Sequence, residues 1–350
     1  MRILAIASQN IKKGVYVMAA GYALKEGCYK DRPLSDDEMW SAFAYLFSSK
    51  SVNDTSYKFG FLKSIIDNLY NTDDKLVLTF DQLFSKFAEI YWNLVLKHHI
   101  RQKNPGKLNR QSELEKALIY GKEKYGIIED IPFESLADEM RIDICHRVKM
   151  KCKENVVGAL YADLGELFYS FSKSGEWIQI NPQMYEFVCK HKVAIEKLNY
   201  YEWAKFLEKV NEDCVVDHLL SKIDESTLHT RSSLTYYRDI LFQEFENKCF
   251  YCGKPVTKHS VEVDHFIPWS FIKDDQIWNF VLACPECNNK KRDKLAREDY
   301  LIKISERNEV MFENTRKSAD IDAGKRIKMI YNWAQKNGYN EIWTPKKIMV

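Results

Sequence analysis

Two Cys-x-x-Cys pairs, "CFYC" at 249–252 and "CPEC" at 284–287, constrain this chain more than any other feature. Two residues between thiols make a tight turn that points both sulfurs at one ion. Two such turns complete the tetrahedron that zinc prefers. A single pair would fit a redox-active dithiol, but no thioredoxin-like βαβ pattern surrounds either pair. Ligation by Cys249, Cys252, Cys284 and Cys287 would also close the coordination sphere to water and substrate. The ion expected here is therefore a structural Zn2+ that clamps the ends of the segment 249–287. Any chemistry must use residues between or just after the clamps.

Those residues fall in a definite order. "SVEVDHFIP" alternates in character and is ended by Pro268, which predicts a strand carrying Asp264 and His265 at its end. "WNF" places Asn279 in a connection, and "CNNKKRDKL" opens a helix with Asn288 in its first turn. Neighbouring strand side chains point to opposite faces, so Asp264 and His265 should diverge unless the backbone bends.

This succession of CxxC, VDHxxP, Asn and CxxCNxxK resembles the HNH endonuclease family, whose fold is the ββα-metal finger. The resemblance covers about residues 235–300. It matches His265 to the catalytic histidine and Asn279, fourteen residues on, to the middle asparagine. Asn288, twenty-three residues on, matches the last position, which is His in some members and Asn in others. Asp264 matches the acidic residue before the histidine, and Lys291 the lysine after the last knuckle.

The resemblance implies a metal-dependent endonuclease, and the chemistry suits these residue types. Phosphodiester hydrolysis needs an activated water and a cation to neutralise charge on the phosphate. A neutral His265 can act as general base near pH 7. Asp264 and Asn288 each offer an oxygen to a hard cation. By resemblance, Asn279 holds the loop and the histidine ring through hydrogen bonds. Asn rather than His at position 288 removes a nitrogen donor, so Mg2+ or Mn2+ is expected as the catalytic ion over Zn2+ or Ni2+. Lys290, Lys291 and Arg292, near the helix start, are expected to meet backbone phosphates. One departure concerns the Gly-rich turn common before the middle asparagine. Here it is "IKDDQIWN", where Asp274 and Asp275 serve as turn residues or repel phosphate.

The rest of the chain reads differently. Leu83, Phe87, Ile90, Tyr91 and Leu94 form one stripe at helical spacing, with Asp81 as its expected cap. Ser112 begins another helix, and 182–210 a third, with Trp203, Phe206, Leu207 and Val210 on one side. Core packing is the ordinary meaning of such stripes. "LFYSFSKSGEWIQINP" reads as a hairpin around Ser-Lys-Ser-Gly. A polar, acidic stretch near 211–231 marks a junction, and the helix "SSLTYYRDILFQEFENK" leads into the first knuckle. A polar region follows Lys294, then an amphipathic helix at about 320–337 with Ala323, Ile327, Ile330 and Ala334 on one face. At 350 residues the chain has room for two domains. The expected fold class is α+β. A large, mainly α-helical domain at 1–230 serves targeting, partner or regulatory roles, and an HNH domain with a C-terminal helix occupies 231–350.

Charge says less than the motifs do. Lys and Arg number 52 against 50 Asp and Glu, a net charge of +2, so nucleic-acid affinity must come from a local patch. Two basic stretches qualify, from Lys97 to Arg110 and from His146 to Lys153, although a charge run is usually a solvated face. The expected partner is nucleic acid, with DNA favoured. A protein partner through the helical domain and a homodimer that cuts both strands are further expectations. Cys28, Cys145, Cys152, Cys189 and Cys214 read as reduced, mostly buried thiols. The apolar run at the start is interrupted at Ser8, and no run approaches the roughly 18 residues of a membrane span. These features point to a cytoplasmic protein without membrane contact. Restriction, phage defence and mobile elements are the settings that such a nuclease suggests, with defence ranked first. Two other readings stand beside it: a catalytically silent zinc-finger module that binds nucleic acid, and a nuclease subunit active only in a complex.

Overall fold

A computed structural model describes residues 21–104, 110–212, 215, 217–227, 234–313 and 323–345. Its N-terminal region is largely helical: α1 (Asp36–Leu46), α2 (Tyr57–Asp67), α3 (Phe80–Trp92), α4 (Glu113–Lys124), α5 (Asp138–Asp163), α6 (Pro182–Lys190), α7 (Lys192–Val210) and α8 (Leu219–Thr227). Reciprocal capping boxes start three of these helices, at Ser35 with Glu38, Thr79 with Gln82, and Ser112 with Glu115. The cap of α3 is thus Thr79, and Asp81 lies inside the first turn instead. The stretch 182–210 is two helices, broken where His191 leaves helical geometry at φ −117°.

Phe61, Phe80, Phe84, Phe87, Tyr91 and Trp203 are fully buried between α2, α3 and α7. Each large side chain removed from water this way contributes roughly 1.5–3 kcal/mol. A Cβ on Gly60 would lie 2.3 Å from the Tyr91 ring, so glycine is what lets α2 approach α3 here. The predicted hairpin forms from β3 (Tyr169–Ser172) and β4 (Trp177–Ile180). Strands β1 (Glu26–Gly27) and β2 (Val77–Thr79) extend it to an antiparallel sheet of order β1-β3-β4-β2.

Several cations of the two basic stretches are held in ion pairs. Lys97 pairs with Glu225 at 2.6 Å, His99 with Asp130 at 2.9 Å and Lys103 with Asp54 at 3.2 Å. Lys149 is buried and bonds Asp81 and Glu176, each at 2.7 Å, and Lys153 also reaches Glu176. Burial withdraws Lys149 from any phosphate contact. Residues 105–109 of the first stretch, Cys214, and 213–214, 216 and 228–233 of the expected junction lie outside the described residues. Of the other scattered cysteines, Cys152 and Cys189 are buried, Cys145 is half-buried and Cys28 is exposed.

Helix α9 (Thr235–Glu244) leads into a small β-rich region, as expected. There β5 (Glu262–His265) pairs antiparallel with β6 (Phe280–Ala283), with a short α10 (Trp269–Ile272) between them and α11 (Pro285–Lys291) after them. β7 (Leu295–Ala296) comes next, and then, where a polar region was expected, the 16-residue helix α12 (Glu298–Glu313). α13 (Ala323–Lys336) is the predicted terminal helix, with Ile327, Ile330 and Ala334 fully buried. β8 (Ile342–Trp343) returns to pair in parallel with β7.

α13 also fastens this region to the helical one. Arg326 donates to the carbonyls of Tyr70 and Thr72 at 3.2 and 3.0 Å, and Asn337 donates to Cys189 O at 2.9 Å. No helix among the described residues is long and apolar enough to cross a membrane.

Candidate functional site

The knuckles form as their spacing demands. After Cys252 the chain must reverse, and Gly253 does so at φ +73°, a left-handed conformation that side chains resist. The turn is closed by Gly253 N to Cys249 O at 2.9 Å and Cys249 N to Lys254 O at 2.8 Å. The second knuckle sits at the start of α11, with Pro285 in the first helical turn, where its missing N–H costs nothing.

The ligand atoms of Cys249, Cys252, Cys284 and Cys287 all lie within 4.8 Å of one another. Cys252 Sγ and Cys284 Sγ are 3.8 Å apart, which equals the edge of a tetrahedron built on Zn–S bonds of about 2.3 Å. Burial raises the Cys249 thiol, but backbone N–H groups of Cys252, Cys284 and Tyr251 outweigh it and bring the net direction down. The set therefore fits a tetrahedral metal ion with a structural role.

The hairpin sends Asp264 and His265 to opposite faces, as strand alternation requires. Asp264 is buried. Its carboxylate accepts from Tyr251 OH at 2.5 Å and pairs with Lys291 Nζ at 3.0 Å. Burial and that carboxylate together hold the Tyr251 phenol well above its ordinary value, so it remains a donor. Lys291 is 0% exposed and donates to His265 O at 2.7 Å as well. This corrects the expectation for Lys291: an ammonium enclosed beneath the hairpin cannot meet a backbone phosphate. Lys290 and Arg292 are exposed, Lys290 bonding Glu286 at 2.7 Å and Arg292 donating to Asn289 O at 3.2 Å.

Asn288 Nδ2 donates to Glu262 Oε2 at 2.7 Å. Glu262 lies two residues before Asp264, on the same face of β5. Glu262 and Asn288 thus stand together, while the Asp264 carboxylate on the same strand face is already engaged by Tyr251 and Lys291. Sequence reasoning passed over Glu262, although the two-residue strand period could have found it.

On the other face the His265 ring packs edge-on against Phe280, its register partner, with centroids 4.7 Å apart. His265 Nε2 lies 2.9 Å from Asp275 Oδ1. Asn279 is fully buried and serves the loop that follows the histidine: Oδ1 accepts from Ile267 N at 2.8 Å and Nδ2 donates to Ile267 O at 2.9 Å. The loop contact is present, whereas the ring nitrogen meets Asp275, a residue the resemblance assigned no role. Helix α12 braces the same loop, since Asn308 Nδ2 donates to Trp278 O at 2.8 Å and Arg307 donates to Phe280 O.

Asp275 opens onto a cleft of about 1200 Å3 between α3, α5 and the finger. Its walls include Asp81, Glu89, Glu134 and Asp138, together with Arg141 and Lys149. Lys86 lines it too, and Asp81, Glu89 and Asp138 are paired with Lys149, Lys86 and Arg141, so the carboxylates in excess are Glu134, Asp274 and Asp275.

Residues 249–297 match the family model for HNH endonucleases. No curated protein and no solved structure matches the chain.

Proposed function

We propose that this chain is a metal-dependent HNH endonuclease that hydrolyses phosphodiester bonds, DNA being the favoured substrate. The observation that carries the reading is a ββα finger whose β5 ends in His265, closed by four cysteines, within the segment that matches the family. Zn2+ is the ion proposed for the cysteines. Glu262 and Asn288, joined by Asp264 once Lys291 releases its carboxylate, would hold Mg2+ or Mn2+, which when bound neutralises charge on the phosphate.

His265 takes a proton from a water molecule. The water oxygen forms a bond to phosphorus as the bond to the leaving sugar oxygen breaks, and solvent supplies the proton that oxygen needs. Because His265 and the oxygen donors lie on opposite faces of β5, the histidine approaches the phosphate from the side away from the cation. Asn279 keeps the loop after the histidine in place. Lys290 and Arg292 remain the candidates for phosphate contact.

The cleft beside Asp275, with its excess of carboxylates, favours a second reading in behaviour, a subunit that cuts only after a partner binds the helical region. A role in phage defence or restriction would suit either behaviour. The test is cleavage of plasmid, single-stranded DNA and RNA with Mg2+ or Mn2+, by the zinc-loaded protein and by zinc-loaded His265→Ala. Cutting by the wild type alone supports the nuclease. Equal cutting by both would refute the assignment of His265, and no cutting by either would favour a partner-dependent subunit or a silent binding module.

A further inference from the structure

Asp275 lies ten residues beyond His265, in a loop that is gripped on both sides by the helical region. On one side Lys273 holds a left-handed conformation at φ +58° and its ammonium pairs with Glu196 of α7 at 3.2 Å. On the other side Asn71, in the 3-10 turn that follows α2, donates to Asp274 Oδ2 at 2.8 Å and accepts from Gln276 Nε2 at 3.0 Å. Asp274 Oδ1 in turn accepts from the backbone N–H of Asp275 at 2.9 Å. Asp275 is thus fixed between two anchors, with its Oδ1 on His265 Nε2.

A carboxylate at Asp275 accepts hydrogen bonds, and the 2.9 Å contact is then made by Nε2–H of the ring. The neutral imidazole then has its acceptor lone pair on Nδ1. This is the nitrogen that can take a proton from water.

We propose that Asp275 is a positioning residue that fixes the tautomer and orientation of His265, and that the helical region sets its place through Asn71 and Glu196. The proposal rests on the nuclease reading for its catalytic meaning, but its structural content stands apart from activity. Outer partners that orient metal-ligating imidazoles are worth about 10–100-fold, and an orienting contact on a general base is expected to act on that scale. The helical region accordingly takes part in building the base as well as in any choice of target.

The experiment labels the full-length protein with 15N-histidine and assigns His265 by comparison with His265→Gln. Ring nitrogen shifts are then compared among wild type, Asp275→Asn, Asp275→Glu and Asn71→Ala. Zinc content and circular dichroism establish that each variant is folded. Expected is a wild-type ring protonated at Nε2, a mixed tautomer population in Asp275→Asn, partial recovery in Asp275→Glu, and a smaller change in Asn71→Ala. Cleavage should fall at least about tenfold in Asp275→Asn with little change in KM. An unchanged tautomer in Asp275→Asn overturns the proposal whatever the activity. A tautomer change in a protein that cuts nothing upholds the positioning role and places the failure in the reading of the chain as a nuclease active by itself.

Discussion

Replacing Asn279 by alanine should loosen the loop after His265 by an amount the structure allows one to estimate. The Asn279 side chain satisfies both backbone groups of Ile267, accepting at 2.8 Å and donating at 2.9 Å. Alanine leaves that N–H and that C=O unpaired. Each unsatisfied buried polar group costs about 1–3 kcal/mol, so the two together set a range of about 2–6 kcal/mol. Phe266, Ile267 and Asn279 are all 0% exposed, so water does not replace the lost partners without opening the loop. Opening relieves part of the cost, and the expected destabilisation is about 3 kcal/mol, in the lower half of that range. Asn279→Asp keeps the acceptor but turns a second oxygen toward the Ile267 carbonyl and buries a charge. It should be at least as damaging as alanine. Urea unfolding of the zinc-loaded proteins measures the change, and hydrogen exchange at the Ile267 amide locates it. A shift below about 0.5 kcal/mol in Asn279→Ala, with Ile267 exchange unchanged, would refute this account of Asn279.

Other outcomes follow from the same structure. Lys291→Met should cost about 3–5 kcal/mol, since it leaves Asp264 buried without its cation, whereas exposed Lys290→Ala should stay within about 0.5 kcal/mol; equal effects in urea melts would contradict the burial of Lys291. Metal analysis should find one tightly held zinc per chain, and its removal by a chelator should unfold the finger, visible as a lowered melting temperature. Burial alone would raise the Glu196 carboxyl, but Lys63, Lys192 and Lys273 outweigh it and hold it below its ordinary value of 4.5. The folded state therefore binds fewer protons than the unfolded chain near that pH. Its contribution is full above pH 4.5 and is lost as pH falls. Glu196→Gln should lower stability at pH 7 and flatten the acid limb of a stability–pH curve, and an unaltered limb would argue against the network.

The parts of the fold that were legible in the sequence are those set by short spacing. Each cysteine pair, the Ser112 cap, the hairpin at Ser-Lys-Ser-Gly and the terminal helix depend on residues within a few positions of one another. Tertiary contacts hid the rest. The bond from Asn71 to Asp274 spans 203 residues, and nothing local to either residue announces it. Lys291 and Lys149 carry charges that ordinarily face water, and their burial is decided by Asp264, Asp81 and Glu176, which arrive from other elements. Helix α12 escaped notice because its buried stripe alternates apolar with polar groups. Leu301 and Ile304 share it with Ser305 and Asn308, the last two both 0% exposed. A polar residue on a buried face breaks the periodicity that identifies a helix, and Asn308 is buried because it bonds the loop beside Asn279.

That bracing has a consequence for anyone who would transplant the finger. The family signature ends at residue 297, yet the carbonyls of Trp278 and Phe280 are gripped by Asn308 and Arg307, and Tyr251 is packed by Trp343 at 5.1 Å. A graft cut at the borders of the signature would carry its metal ligands with it and leave their scaffolding behind. A transferable unit must extend through β8, and even then it arrives with the face that α13 normally turns toward Tyr70 and Thr72 laid open to solvent.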